Sequence, residues 1–441
     1  MSDEHPPALH MVDRPRRWRW LKFTGLVVLG AISVGMIWFA VANWKASAQL
    51  NAQFAELKAQ GVPLSLADLE RTPPPPGEDA TTYLRRAENS IEAINREIHA
   101  EWQSEEARQL DKGLQVPDSF DYSPTMIEAY RRAFSAHPEV VPLLYEASHC
   151  PAYFMDLNYK TESGSEFVAD MLSEVQLARA TARVLNYRMI LLLSEGKREE
   201  AMENTLALLR LSNLFGQAPA LVGQLVAIGI RGVSLNALNR VLRDGPIPQD
   251  GYDRLDSELT RQDLLASYRN SLLTERAVGL AYFNDTNMLP YSGLPHGKRD
   301  KTSYLKVLDV LIANADRPYG DPDAKAALEK NLQAAGPLTT LLRPAIEATQ
   351  QAITRNIAQV RCLRVLNAIL RRPSDQQTDI KLPDLDLPEG TTTDPFNGHA
   401  LHLKHTDSGW LIYSVGGNLK DDGGQLDDDA TDVGSAPIVS P

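Results

Sequence analysis

The feature that most constrains this chain is an uninterrupted apolar run near its N-terminus. Residues 23–44 read FTGLVVLGAISVGMIWFAVANW, which is 22 residues without a charged side chain. A helix rises about 1.5 Å per residue, so about 20 apolar residues cross the hydrocarbon core of a bilayer. Inside lipid the backbone must satisfy its own hydrogen bonds, which a lone segment achieves only as a helix. We therefore predict a transmembrane helix over residues 23–44.

The charges that flank this run indicate its direction. Five basic residues within positions 14–22 precede it, whereas only Lys45 follows closely. The positive-inside bias then makes residues 1–22 a cytoplasmic basic tail against anionic lipid, with the bulk of the chain outside the cytoplasmic membrane. A cleaved signal peptide is the alternative, and Ala46-Ser47-Ala48 would be its cleavage site. The length of the run favours an uncleaved, single-pass anchor, with the body on the far side of the membrane.

The composition indicates that this body is globular. Hydrophobic residues make up 43% of the chain and charged residues 23%, and the net charge of −12 argues against nucleic acid as a partner. The two cysteines, Cys150 and Cys362, are far apart in sequence. They are interpreted as either buried small hydrophobic residues or a disulfide, which the outer compartment would permit.

The body is predicted to be mainly α. Residues 45–80 are assigned to a stalk and a proline-rich linker, because Pro73–Pro76 favours a stiff extended spacer. Residues 81–372 form the helical domain, in which residues 284–302 are predicted to be a loop. Its clearest unit is a helix–Gly196–helix hairpin that resembles a tetratricopeptide unit. The first helix carries seven apolar residues at a 4-3 spacing that places them on one face: Met171, Val175, Ala178, Ala182, Leu185, Met189 and Leu192.

The C-terminal part carries the sharpest motif. Residues 373–424 are predicted to be a linker followed by a β-hairpin, with strands at 400–405 and 410–414 around the turn Thr406–Gly409. Residues 425–441 are predicted to be a disordered acidic tail. The segment from Asp394-Pro395-Phe396 through Tyr413-Ser414-Val415-Gly416 to the acidic loop resembles the C-terminal end of type II secretion major pseudopilins.

That resemblance implies calcium as a cofactor. Ca²⁺ takes six to eight oxygen ligands from carboxylates, carbonyls and water. The predicted ligands are Asn418, Asp421, Asp422 and Asp427. The alternative interpretation of this stretch is a solvated acidic tail, because runs of acidic residues are usually that.

A second resemblance covers most of the chain. A group of uncharacterised membrane-anchored proteins of planctomycete bacteria shows similar features: the anchor, the segment Gly61-Val62-Pro63-Leu64, the proline run and the C-terminal motif. This resemblance implies a bacterial cytoplasmic membrane, with the body in the periplasm. Motifs for nucleophilic hydrolases, phosphate-binding loops, zinc proteases and dinucleotide sites do not occur, so no catalytic residue is predicted.

The sequence thus favours a non-enzymatic interaction or scaffold protein of the bacterial envelope, whose partners are the lipid bilayer and other envelope proteins. A secretion-apparatus component related to pseudopilins is one alternative. An envelope hydrolase with an unrecognised site is another.

Overall fold

A computed structural model describes residues 17–103, 123–285, 291–377, 379–426 and 432–435. The structure is 70% helical and carries a small antiparallel sheet near its C-terminus, which confirms the predicted mainly-α class. The helices are α1 Arg17–Ala59, α2 Ala80–Trp102, α3 Pro124–Ala136, α4 Val140–His149, α5 Gly164–Ser194, α6 Arg198–Phe215, α7 Ala220–Asp244, α8 Gln249–Thr260, α9 Leu264–Asn284, α10 Pro295–Ala313, α11 Pro322–Gln333, α12 Pro337–Leu341, α13 Arg343–Leu370 and α14 Glu389–Thr392.

Helix α1 contains the apolar run and continues past it for four turns. No residue of its most apolar 18-residue window is buried. From Ala42 onward the helix packs against α10, so the residues assigned to a stalk lie on the body. The proline run Pro73–Pro76 follows later, in a segment without regular structure.

The α5–α6 hairpin forms as predicted, and α7 completes its core. All seven residues of the predicted α5 stripe are buried. The chain reverses at Gly196, whose φ of +70° lies in the left-handed region that glycine adopts without strain. The hairpin and α7 enclose a common core. Helix α7 is apolar and long enough to cross a membrane, but 61% of that apolar window is buried inside the body.

Helices α9, α10 and α1 lie side by side. Contacts between Phe283 and Tyr304 at one end, and between Arg269 and Asp316 at the other, show that α9 and α10 run antiparallel. Lys298 near the start of α10 bonds to Asn43 of α1, and both helices continue in the same direction. The predicted loop over residues 284–302 is too long, because α10 already begins at Pro295. The fixed φ and the missing N–H of this proline favour the first turn of a helix.

The C-terminal sheet has three strands, β1 His402–Thr406, β2 Gly409–Ser414 and β3 Val433–Ser435, in that order. The first two form the predicted hairpin. Every residue of β2 from Trp410 to Ser414 is buried, on both faces. Helix α13 packs against β2 and β3, while the loop at Gly424 lies against Leu411 and Tyr413. The hairpin is thus part of the body.

Both cysteines are free and buried. The interpretation of Cys150 and Cys362 as small buried hydrophobic residues is confirmed. Burial raises the pKa of both thiols, which keeps them protonated and weakly reactive.

Candidate functional site

A cleft of about 790 Å³, which we call the α11 cleft, opens on one side of the body. It lies between the end of α10, helix α11, the first half of α13 and the α14 segment. Its apolar lining includes Leu311, Leu328, Leu332, Ile353 and Ile357. Small-molecule sites are typically concave, of 300–1,000 Å³, with a mainly apolar lining and a few placed polar groups. The volume of the cleft lies in that range, and its lining combines apolar side chains with many charged and polar ones.

One side of the cleft is set by an arginine held between two carboxylates. Arg343 donates to Glu329 at 2.6 Å and to Glu347, one turn along α13, at 2.9 Å. Hydrogen bonds from Gln333 and Arg343 lower the pKa of Glu329, so this carboxylate is ionised at neutral pH. A proton donor is therefore not available at Glu329, and the trio presents fixed charges to a ligand.

The opposite end is closed by a buried polar cluster around Asp394. Arg361 of α13 donates to the Thr393 carbonyl oxygen at 2.6 Å. Burial lowers the pKa of Arg361, and the nearby Asp394 carboxylate opposes that shift. Asp394 itself is fully buried and accepts hydrogen bonds from the Ser414 hydroxyl at 2.7 Å and the Val415 N–H at 2.9 Å. The aspartate of the Asp-Pro-Phe motif thus joins the cleft wall to the sheet.

The polar part of the lining is mostly charged, with both carboxylates and basic side chains. The residues that line the α11 cleft include no His, Cys or Ser. Its two threonines, Thr354 and Thr393, donate their hydroxyls to main-chain carbonyls one turn back, at Gln350 and Glu389. The proton of each hydroxyl is therefore directed at a carbonyl oxygen and not at a side-chain base.

The structure joins two of the four predicted calcium ligands, Asn418 and Asp422, and directs a third, Asp421, to other partners. Asn418 donates to Asp422 at 2.8 Å, while Asp421 accepts from the Tyr413 hydroxyl at 3.0 Å and the Gly423 N–H at 2.9 Å. Asp427 lies outside the described residues. Within the described part of the chain, no group of three or more His, Cys, Asp or Glu side chains has the geometry of a metal site. Calcium at this loop stays a prediction.

Sequence reasoning did not identify Asp432 or the cleft. Asp432 is buried beside β3 and accepts from the Gly424 N–H at 2.8 Å, which ties the acidic loop to the sheet. The cleft residues come from segments between Leu265 and Pro395 and share no local motif. A signal existed only at Asp394, which belongs to the motif that stood out in the sequence.

Comparison with known proteins adds no relative. No protein-family model, no curated protein and no solved structure matches this chain.

Proposed function

We propose that this chain is a non-enzymatic binding protein, anchored by α1 in a bacterial cytoplasmic membrane with its N-terminus inside and its body in the periplasm. The observation that carries the proposal is the abrupt change of exposure along α1. Every large apolar residue from Phe23 to Val41 is exposed, whereas Ala42 is 8% and Ala46 1% exposed. One helix thus has an exposed apolar part up to Val41, followed at once by a part that packs one face on the body.

The exposed part has the properties of a membrane span. An unpaired apolar surface of this size is unstable in water, and it is matched by the hydrocarbon of a bilayer. Indole rings favour the interface between lipid and water, and Trp20 lies near one end of the apolar run with Trp44 at the other.

The packed part supports a body that lies close to the lipid surface. Ala42, Ala46 and Leu50 form a buried stripe at a spacing of four residues, which is one face of a helix. The ammonium group of Lys298 donates to Asn43 at 2.8 Å and to Ser47 at 2.9 Å, beside Trp44. The start of α10 therefore lies at the level where the apolar run ends, and no flexible spacer intervenes there.

The α11 cleft supports the assignment of the body to binding. Its volume is that of a ligand site, and Arg343, held between Glu329 and Glu347, presents charged groups in defined positions. The occupant we propose is a small molecule or a segment of an envelope partner with an apolar part and a charged end.

A photo-crosslinking experiment in native membranes tests this function. The matched sites are two exposed lysines of α11, Lys325, which lines the cleft, and Lys330, which does not. With p-benzoylphenylalanine at each site in turn, we expect an adduct from position 325 that is absent from position 330. Identical adducts from both sites, or none from position 325, would contradict the assignment of the cleft.

A further inference from the structure

A second, smaller cavity lies on the other side of α9 from α10. It measures about 340 Å³ and is formed where the end of α6, the middle of α7 and the α8–α9 junction meet. We call it the Arg231 pocket. Eight of its ten lining residues have polar or charged side chains: the lining is Arg71, Asn213, Gly216, Gln217, Arg231, Arg261, Asp263, Ala266, Ser267 and Asn270.

Arg231 is the unusual member of this lining. It is 1% exposed, yet among the described residues no carboxylate lies within ion-pair distance of it. Its side chain donates only to two neutral amides, Gln262 at 3.2 Å and Asn213 at 2.9 Å. Its Nη1 atom has no hydrogen-bond partner. A buried charge left without a counter-charge or a full set of acceptors is costly, and an anion bound beside Arg231 would reduce that cost.

A second unsatisfied donor lies beside the pocket. Gln224, two helical turns before Arg231 on α7, is fully buried. Its side-chain oxygen accepts from the Ser267 hydroxyl at 3.0 Å, and its amide nitrogen has no partner. Ser267 itself lines the pocket. Two buried donors on one face of α7 therefore lack acceptors at the same place.

The rim of the pocket adds positive charge. Arg71, from the linker that follows α1, crosses to the pocket and donates to the Gln217 carbonyl at 2.8 Å. Arg261 lies on the rim and also pairs with Glu258 at 3.0 Å. The one acidic side chain of the lining, Asp263, caps α9 by accepting from the Ala266 N–H at 3.0 Å. Three arginines face one aspartate in a chain whose net charge is −12.

We propose that the Arg231 pocket binds the phosphate group of a soluble ligand. A dianionic phosphate would supply acceptors to the free Nη1 of Arg231 and would neutralise the excess positive charge of the lining. Arginine recognises phosphate through its planar fork of donors, and the lining offers the neutral donors of Asn270 and Ser267 beside it. The proposal is independent of the α11 cleft, and only the choice of a soluble source over a lipid rests on the proposed membrane anchor.

The packing of the helices favours the soluble source. The C-terminal end of α9 lies near the lipid, because Lys301 of α10 bonds to Asn284 at 2.7 Å, one turn from the contact of Lys298 with α1. Ser267 is 17 residues before Asn284 on the same helix, which corresponds to roughly 25 Å along its axis. A lipid headgroup of the anchoring membrane would not reach that depth of the body.

The test is a titration of the full chain with inorganic phosphate, in phosphatidylcholine nanodiscs at constant ionic strength, read as the melting temperature. We expect the melting temperature of the wild type to rise with phosphate. In Arg231→Met, the phosphate concentration needed for the same rise should increase at least about tenfold, because one hydrogen bond to a charged group is lost. Arg243→Met is the matched control. Arg243 is also mostly buried, but it donates to the carbonyls of Trp410 and Ser435 far from the pocket. Its response to phosphate should equal that of the wild type.

Two further arms complete the test. If Arg231→Met does not fold, Arg71→Gln at the exposed rim replaces it, and we expect about threefold weaker binding, as for a solvent-screened contact. A nanodisc with phosphatidic acid in place of part of the phosphatidylcholine should leave the phosphate response unchanged. The proposal is overturned if phosphate on the order of 50 mM, far above a millimolar dissociation constant, leaves the wild type unchanged. It is equally overturned if the Arg231 and Arg71 variants respond as the wild type does, or if phosphatidic acid alone stabilises the chain through Arg231.

Discussion

Asp394→Asn is the substitution whose effect follows most directly from the structure. The Asp394 carboxylate is fully buried, with one oxygen accepting from the Phe396 N–H at 2.8 Å and the Ser414 hydroxyl at 2.7 Å. Its other oxygen accepts from the Val415 N–H at 2.9 Å. Asparagine keeps one acceptor oxygen and replaces the other by an NH₂ group, which would face one of these donors.

The expected loss can be worked from these three bonds. A hydrogen bond to a charged group contributes about 1.5–3 kcal/mol, and a neutral one about 0.5–1.5 kcal/mol. One charged bond is lost and the other two become neutral, so the hairpin should lose about 3.5–6 kcal/mol. Removal of the charge also leaves the buried Arg361 without its nearby carboxylate, which acts in the same direction.

The assay is native-state hydrogen exchange of the β2 amides, because a local opening of the sheet need not unfold the whole chain. At about 1.4 kcal/mol per factor of ten, we expect protection at Ile412 and Tyr413 to fall by more than a hundredfold. Asp407→Asn, an exposed aspartate in the hairpin turn, is the control and should change protection little. A loss of less than about tenfold for Asp394→Asn would refute this account of the motif.

Three further predictions concern other parts of the body. Gly279→Ala should destabilise the fold by about 1–3 kcal/mol, because a Cβ would collide with the Tyr304 hydroxyl. Gly229→Ala should stabilise it by about 0.5–1 kcal/mol, because no atom lies within 4 Å of the added Cβ. Denaturant unfolding of both variants checks this, and equal effects would contradict it. Burial raises the pKa of Glu275 from 4.5 to about 7, so the folded state holds an extra proton between these pH values and its stability should fall as pH rises from 4.5 to 7. Glu275→Gln should flatten this dependence of stability on pH. An unchanged dependence in the variant would show that Glu275 does not cause it. Excess Ca²⁺ should raise the melting temperature if the acidic loop binds it, since Ca²⁺ at 100 times its dissociation constant adds about 2.7 kcal/mol to the free energy of unfolding. An unchanged melting temperature, or an equal rise in Asp421→Asn, would contradict the calcium prediction.

Much of the fold could be predicted because its signals are local. The α5 stripe repeats at helical spacing, and Gly196 supplies the reversal that a helical hairpin requires. The β-hairpin was predictable for the same reason, from two short strand-like runs around a turn. These patterns depend on residues close in sequence, and tertiary packing reinforced them.

The candidate sites could not be predicted because their residues meet only in the folded chain. Arg231 follows an apolar run, and a charge at the end of such a run is usually solvated. Its burial depends on Asn213 from α6 and Gln262 from the α8–α9 junction. Strand β3 was missed because three residues, Val433–Ser435, are too few to show a period. Their pairing with β2 depends on α13 covering the sheet.

The central claim, that α1 spans the membrane with the body outside, is tested most directly by cysteine labelling in bacterial spheroplasts. The native Cys150 and Cys362 are buried, so they contribute little background. Lys420→Cys places a thiol at an exposed position of the C-terminal loop, and Ser2→Cys places one in the N-terminal tail. With a membrane-impermeant maleimide, we predict labelling of Lys420→Cys in intact spheroplasts and of Ser2→Cys only after permeabilisation. The reverse pattern, equal labelling of both, or recovery of the chain in the soluble fraction would contradict the account.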